Sequence, residues 1–113
     1  MIDPVFILVL FVVGGVLSVA LGLPLQYEKV PPNWFYGFRT RKTVSNPEIW
    51  YPVNRILGID MIRMGVVIAA SALIMLAFRR SVAPEAAVGI VAAIGGAMSL
   101  WMVIHGFSVL RRM

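Results

Sequence analysis

The sequence has 113 residues, of which 60% are hydrophobic and 13% are charged, and its mean hydropathy is +0.90. Because soluble domains carry about 25% charged residues, this composition excludes an ordinary soluble protein and predicts one integral membrane domain over residues 1–113. The net charge of +5 would suggest nucleic-acid binding in a soluble protein, but in a membrane protein it is typical of loops that face an anionic leaflet, so we predict membrane lipids and no nucleic acid as partners.

The first predicted element is a transmembrane helix over residues 4–24. No charged residue occurs from Pro4 to Tyr27, and the apolar run reaches the length of about 20 residues that a hydrocarbon core requires. A cleaved signal peptide is the alternative, because Ser18-Val19-Ala20 faintly resembles a cleavage site. No basic residue precedes the apolar run, however, so we predict a retained helix.

The second predicted segment, residues 25–58, holds a motif loop and a short interfacial helix. Six aromatic residues lie between Trp34 and Tyr51, interleaved with three basic side chains. An aromatic belt with cytoplasmic positive charge explains these residue types without any ligand. It does not explain their order, in which a turn signal at Pro31-Pro32-Asn33 precedes aromatics around Gly37 and then Arg39. The loop is therefore predicted to fold as a specific structure against the helices and to be the recognition element.

The interfacial helix is predicted over residues 46–57. Asn46 is the expected N-cap, Pro47 suits the first helical position, and Glu48 suits the positive end of the helix dipole. Pro52 is expected to kink or delay the helix, and Gly58 to bend the chain into the second span.

Two further spans are predicted over residues 59–79 and 84–110. The uncharged core of the second is short, and Arg63 and Arg79 are expected to snorkel toward the interfaces. The third opens after Pro84 and closes on two arginines, and the tight connection makes the two spans an antiparallel hairpin. The predicted fold class is all-α integral membrane, with three transmembrane helices and a cytoplasmic aromatic and basic loop.

Basic residues predict the orientation. The N-terminus and the second loop carry only Arg79 and Arg80, whereas the first loop and the C-terminus carry the rest. The positive-inside rule therefore predicts an outside N-terminus and a cytoplasmic first loop and C-terminus. The basic residues on the predicted cytoplasmic side are Lys29, Arg39, Arg41, Lys42, Arg55, Arg63, Arg111 and Arg112.

Small residues at spacings of three or four are expected to pack the helices, because lipid supplies little hydrophobic drive between them. They favour either a compact bundle or a homo-oligomer, and the pattern does not separate the two. The stripes are Gly14, Ser18 and Gly22; Gly65, Ala69 and Ala72; and Gly89, Ala93 and Ala97, with Ala92 and Gly96 beside the last.

The sequence has little material for catalysis. It contains one histidine, no cysteine and five acidic residues, and it lacks a glycine-rich phosphate loop. We therefore predict no enzymatic activity, no cofactor and no metal site.

Asp60, Arg63 and His105 form one polar constellation of interest. Asp60 and Arg63 are three residues apart on one helix face, and His105 is expected at a similar depth. A proton-responsive or ligand-binding cluster is one interpretation, because ionisable groups inside a membrane are often functional. The favoured alternative is structural: Arg63 snorkels, Asp60 pairs with it, and His105 hydrogen-bonds a nearby carbonyl group.

The loop carries an ordered motif of proline, asparagine, aromatic, glycine, arginine and threonine residues. Its members are Pro31, Pro32, Asn33, Tyr36, Gly37, Phe38, Arg39, Thr40, Thr43, Asn46, Trp50 and Asn54. This motif resembles the signature of the SdpI/YfhL family of bacterial membrane proteins. The stretch from Gly37 to Thr40 and Trp50 match closely, and the proline start and Asn46 match loosely. Three spans with the motif between the first two also fit the family's small domain, and the resemblance implies a location in the bacterial inner membrane.

The resemblance implies immunity or signalling against a membrane-active peptide toxin, as in a family member that protects its cell from a secreted toxic peptide. Arg39 would then be the anchoring donor, with Tyr36 and Trp50 as its aromatic frame. The alternative is a structural accessory subunit that docks on a membrane-protein partner through its helices. The binding residues implied by the resemblance are Pro32, Asn33, Tyr36, Gly37, Arg39, Thr40, Thr43, Asn46, Trp50 and Asn54.

Overall fold

The computed structural model describes residues 3–113, so the first two residues of the predicted 1–113 domain lie outside the described part. The helices are α1 (Pro4–Gln26), α2 (Arg41–Val44), α3 (Pro47–Ala77) and α4 (Pro84–Arg111). No strand occurs among the described residues. Since α1, α3 and α4 are each long and apolar enough to cross a membrane, the predicted all-α membrane fold with three spans is confirmed.

The starts of α1 and α3 follow from local capping chemistry. Asp3 Oδ1 accepts a hydrogen bond from the Val5 N–H at 2.9 Å, and Asn46 Oδ1 accepts one from the Glu48 N–H at 3.0 Å. In each helix a proline occupies the first helical position, where its missing N–H removes no intrahelical bond. The predicted N-cap at Asn46 is thus confirmed.

The interfacial helix predicted over residues 46–57 is not a separate element, and the helix is not interrupted at Gly58. α3 runs without interruption from Pro47 to Ala77 and includes Pro52. Pro52 lies close to the helix start and has no N–H to offer the carbonyl of Glu48, so the helix lacks one backbone hydrogen bond there. Gly58 is needed for close contact with another helix.

α1 packs on α3 through two pairs of glycines. A methyl group added at Gly22 would lie 2.6 Å from the carbonyl oxygen of Gly58, and one added at Gly15 would lie 2.6 Å from that of Gly65. Between these contacts, the Ser18 hydroxyl donates to the Met61 carbonyl at 2.8 Å. Small residues at these positions let the two backbones approach, as expected for helices in lipid.

Two predicted small-residue stripes need correction. Gly14 faces open space, and its neighbour Gly15 makes the contact with α3. On α4, Gly89 and Gly96 also face open space, so that stripe does not pack within the chain. The stripe on α3 does pack: a methyl group at Gly15 would meet Ala69, and Ala72 is fully buried.

α4 packs on α3 at both ends of the bundle. One apolar cluster joins all three long helices, and a second joins the start of α3 to the end of α4. The first consists of Leu8, Ala72, Ala87 and Val91, and the second of Val53, Val109 and Leu110, with Phe38 of the loop against it. The second cluster fixes where the loop docks.

Candidate functional site

The loop between α1 and α3 is folded by its own asparagine turn. Asn33 Oδ1 accepts hydrogen bonds from the Phe35 N–H at 2.8 Å and the Tyr36 N–H at 2.7 Å, while Asn33 Nδ2 donates to the Pro31 carbonyl at 2.8 Å. An asparagine side chain that bonds nearby backbone groups fixes a turn without help from other elements.

Tyr36 fastens this turn to α1. Its hydroxyl donates to the carbonyl oxygen of Leu21, in the last two turns of that helix. Burial raises the pKa of the Tyr36 hydroxyl above its ordinary value of 10.0, because the phenolate would lose hydration there. The loop therefore lies against α1 rather than extending away from it.

Gly37 and Asn54 form the central contact between the loop and α3. Gly37 has a φ of 119°, and a methyl group there would lie 2.6 Å from Asn54 Oδ1. The same Asn54 oxygen accepts a hydrogen bond from the Phe38 N–H at 2.5 Å, and Asn54 Nδ2 donates to the Trp50 carbonyl at 3.0 Å. Only glycine suits both the backbone angle and the space.

Trp50 closes the loop from the other side. Its indole is fully buried, and Nε1 donates to the carbonyl of Val30 at 2.7 Å. The ring also lies against Gly37, at 3.1 Å from where a β-carbon would be. A buried indole with a satisfied N–H is a structural anchor.

Thr40 and Thr43 organise the short helix α2. The Thr40 side chain accepts from the Thr43 N–H at 3.2 Å, and Thr43 Oγ1 accepts from the Thr40 N–H at 2.8 Å, which is a reciprocal capping arrangement. The Thr43 hydroxyl, fully buried, also donates to the Phe38 carbonyl at 2.8 Å. The two threonines thus hold the chain after Phe38.

The loop also docks on the end of α4. The rings of Phe38 and Phe107 meet edge to face at a centroid distance of 5.1 Å. Gly106 leaves room for Phe38, since a methyl group there would lie 2.7 Å from the ring. Lys42 Nζ donates to the Leu110 carbonyl at 3.2 Å, which suits the negative end of a helix dipole.

Trp34, Phe35 and Arg39 are exposed on the loop and are joined by a hydrogen bond, and we call these three residues the loop tip. Phe35 is 91% exposed and Trp34 is 59% exposed. Arg39 Nη1 donates to the Trp34 carbonyl at 2.7 Å and thereby supports the tip from within. Sequence reasoning did not single out Trp34 and Phe35, although their place directly after the Asn33 turn is a signal for exposure.

The structure brings most of the predicted binding residues together, but chiefly in contacts with one another. Pro32 is half-buried, and Asn46 serves as the helix cap. Arg39 is the member that carries its polar group to the surface. The members whose side chains or backbone engage the loop's internal contacts are Asn33, Tyr36, Gly37, Thr40, Thr43, Trp50 and Asn54.

Asp60 and His105 form a polar pair between α3 and α4. His105 Nδ1 lies 2.6 Å from Asp60 Oδ2, and the Asp60 side chain is only 2% exposed. Asp60 Oδ1 is buried and has no hydrogen-bond partner among residues 3–113. Trp101 stacks on the imidazole at a centroid distance of 5.0 Å, which holds the ring against the carboxylate.

The predicted pairing of Asp60 with Arg63 is wrong, and so is the predicted bond from His105 to a backbone carbonyl. Asp60 points toward α4 and meets His105, whereas Arg63 is exposed and has no ionic partner in the described part of the chain. Residues three apart on a helix differ in direction by about 60°, which here separates the two side chains. Residues 3–113 contain no group of three histidine, cysteine or acidic side chains that would hold a metal ion.

Comparisons with known proteins agree with the loop motif. A model of the SdpI/YfhL protein family matches residues 29–109, from the start of the loop nearly to the end of α4. A Bacillus subtilis (strain 168) protein described as "Uncharacterized protein YfhL" is 36% identical over 66 residues. That match covers 56% of this chain and 58% of the relative, which is less than two thirds of its length. No solved structure matches the chain significantly.

Proposed function

Because the chain belongs to the SdpI/YfhL protein family, we propose that it is a non-enzymatic membrane protein that gives its cell immunity to a membrane-active peptide or signals the presence of one. The family resemblance supports the type of protein. The specific role rests on the loop, which is the part of the chain that presents side chains to a partner.

The exposed loop tip is the observation that carries this proposal. Nearly every polar group of the motif is used inside the loop, yet Phe35 is 91% exposed and Trp34 is 59% exposed. Two large aromatic rings held outward on a loop this firmly folded form a surface for a partner at the membrane interface. Aromatic residues beside an arginine are the side chains that dominate binding energy at protein interfaces. Arg39, which donates to Trp34, keeps further N–H donors for a ligand.

We place the protein in the bacterial cytoplasmic membrane, with the loop and the C-terminus in the cytoplasm. The excess of basic residues on the loop side supports this orientation. The loop tip then meets the cytoplasmic half of the bilayer, where it contacts a peptide that has inserted into the membrane. A tip at this interface is also accessible to a cytoplasmic signalling partner.

The test is survival of a deletion strain under attack by the peptides that its host secretes. We expect protection by the wild-type chain and loss of protection, by about tenfold or more in survival, with Trp34→Ala and Phe35→Ala. Tyr27→Ala is the matched control, because Tyr27 is 64% exposed but lies outside the tip. All variants are compared at equal amounts in the membrane fraction. Full protection by both tip variants contradicts the proposal.

A second candidate is a structural accessory subunit or a homo-oligomer. The open faces at Gly89 and Gly96 favour it, because α4 would let another helix approach there. Gly89→Leu and Gly96→Leu would then release a partner that co-purifies at fixed stoichiometry. Recovery of the wild-type chain alone, as a monomer, contradicts this candidate.

A further inference from the structure

Arg63 lies deep along the bundle. It falls between Gly58 and Gly65 of α3, and these glycines contact Gly22 and Gly15 of α1. By this register Arg63 is level with the middle of α1, about 13 Å along the helix axis from the end of α1 at Gln26. The apolar spans therefore place its Cα well inside the hydrocarbon layer.

Arg63 also faces away from the rest of the bundle. Gly58 and Gly65 mark the side of α3 that contacts α1, and Asp60 marks the side that contacts α4. The remaining side holds Arg63, and two apolar residues further along this side, Val66 and Ile74, are 54% and 53% exposed. The guanidinium thus emerges on the surface that meets lipid.

An arginine in this position requires an anionic partner. Charged side chains inside a membrane are costly, and they generally face the bundle interior or pair with another group. Among residues 3–113 no side chain or carbonyl accepts a hydrogen bond from Arg63. Asp60, the nearest acidic residue along α3, points toward α4, where Oδ2 meets His105 and Oδ1 is buried. The partner must therefore come from outside the chain.

The position of Arg55 indicates that the partner of Arg63 approaches from the membrane surface at the loop end of α3. It is exposed, lies about 12 Å closer to the loop end of α3, and has no ionic partner in the part of the chain that the structure describes. Helical side chains lean toward the N-terminus of their helix, so Arg63 reaches toward Arg55 and the membrane surface. The two arginines differ in direction around α3 by about 80°, and both are exposed. They therefore define a basic strip that descends obliquely from the interface, with exposed apolar residues below it.

We propose that this strip binds one anionic phospholipid, which we call the α3 lipid site. Its phosphate group accepts hydrogen bonds from the Arg63 guanidinium and lies close enough to be attracted by Arg55. Its acyl chains cover Val66 and Ile74. A guanidinium group and a phosphate group have opposite charges, and they can form two parallel hydrogen bonds. A zwitterionic headgroup also has a phosphate group, but it carries no net negative charge. This inference is independent of the immunity role.

A second copy of the chain fits this surface poorly. Of the five acidic residues in the sequence, only Asp60 lies near the depth of Arg63, and it is buried. Symmetric pairing of two α3 helices would also bring like charges together. A lipid supplies negative charge at the correct depth without either difficulty.

The site is tested with the full-length chain in lipid nanodiscs and by native mass spectrometry of the chain in mild detergent. We expect one bound phosphatidylglycerol for each wild-type chain, with an affinity about tenfold above that for phosphatidylcholine. This comparison needs no variant. Equal affinity for the two lipids, or a co-purifying protein at fixed stoichiometry with no bound lipid, overturns the proposal.

Variants then locate the site. Arg63→Gln should reduce phosphatidylglycerol affinity by about tenfold, and Arg63→Lys, which keeps the charge, should lose less. Arg80→Gln is the matched control, because Arg80 is exposed in the turn just beyond the opposite end of α3. The same affinity in Arg63→Gln and Arg80→Gln would refute the assignment. Arg55→Gln provides a second variant at the strip that leaves the deeper residue in place.

Discussion

His105 Nδ1 lies 2.6 Å from Asp60 Oδ2, and this contact joins α4 to α3 at a buried position. A carboxylate with so little exposure depends on its partner, because water is not available to solvate it. The unpartnered Oδ1 atom increases that dependence. The pair therefore ties the position of α4 to that of α3, and Trp101 stacks on the imidazole from the outside.

Removing only one member of this pair should be more damaging than removing both. We expect His105→Leu to reduce the free energy of unfolding by about 3 kcal/mol, because it leaves a buried carboxylate without a partner. Asp60→Leu combined with His105→Leu should recover most of that loss. Thermal unfolding in detergent, carried through the full double-mutant cycle, gives the coupling energy. Simple addition of the two single effects would show that the contact is energetically unimportant.

Gly37→Ala should loosen the motif loop. A methyl group at a φ of 119° and 2.6 Å from Asn54 Oδ1 forces a shift in the backbone or in Asn54. We expect a loss of about 1–3 kcal/mol and faster proteolysis within residues 27–46. Gly89→Ala, placed in open space on α4, is the control and should leave the cleavage rate unchanged. Equal cleavage of Gly37→Ala and wild type would argue against this account of the loop.

Substitution by alanine should affect stability differently at the adjacent glycines Gly14 and Gly15. Gly15→Ala places a methyl group 2.6 Å from the Gly65 carbonyl oxygen, so α1 and α3 must separate. We expect it to lower stability by about 1–3 kcal/mol, as overpacking does. Gly14→Ala meets nothing within 4 Å and should be neutral or slightly stabilising. Similar melting temperatures for the two variants would contradict the register of α1 on α3.

Tyr36 predicts a loss of stability at high pH. Its pKa is raised by burial, so the folded state holds the phenolic proton more tightly than the unfolded state does. The resulting stabilisation is complete below pH 10.0, the ordinary value, and is lost as the pH rises through the higher folded-state pKa. Ionisation also removes the donor to the Leu21 carbonyl.

The free energy of unfolding, measured from about pH 8 to about pH 12, checks this expectation, because that range includes the ordinary tyrosine pKa. Tyr36→Phe should remove the contribution of Tyr36 to the pH dependence of stability. Tyr27→Phe, which changes an exposed tyrosine, should keep that contribution. An identical pH profile for wild type and Tyr36→Phe would show that the hydroxyl does not contribute.

Local signals in the sequence determined much of the architecture. Three long apolar segments require three spans, because only helices satisfy their backbone groups in lipid. Asn46 and Pro47 determine where α3 starts, because asparagine caps the first turn and proline suits the first helical position. The Asn33 turn depends on hydrogen bonds between residues close in the sequence, and Gly37 supplies a backbone angle that suits glycine. The sequence therefore allowed the prediction that the loop folds as a specific structure.

Tertiary structure alone decided which side of each helix faces its neighbours. In a soluble protein the apolar stripe of a helix reveals its buried face, but in a membrane the lipid-facing and bundle-facing sides are equally apolar. The sequence therefore did not show that Gly15, and not Gly14, contacts α3. It also did not show that Asp60 pairs with His105 and not with Arg63. Those outcomes depend on the rotation and register of the helices, which close backbone contacts between α1 and α3 fix in space.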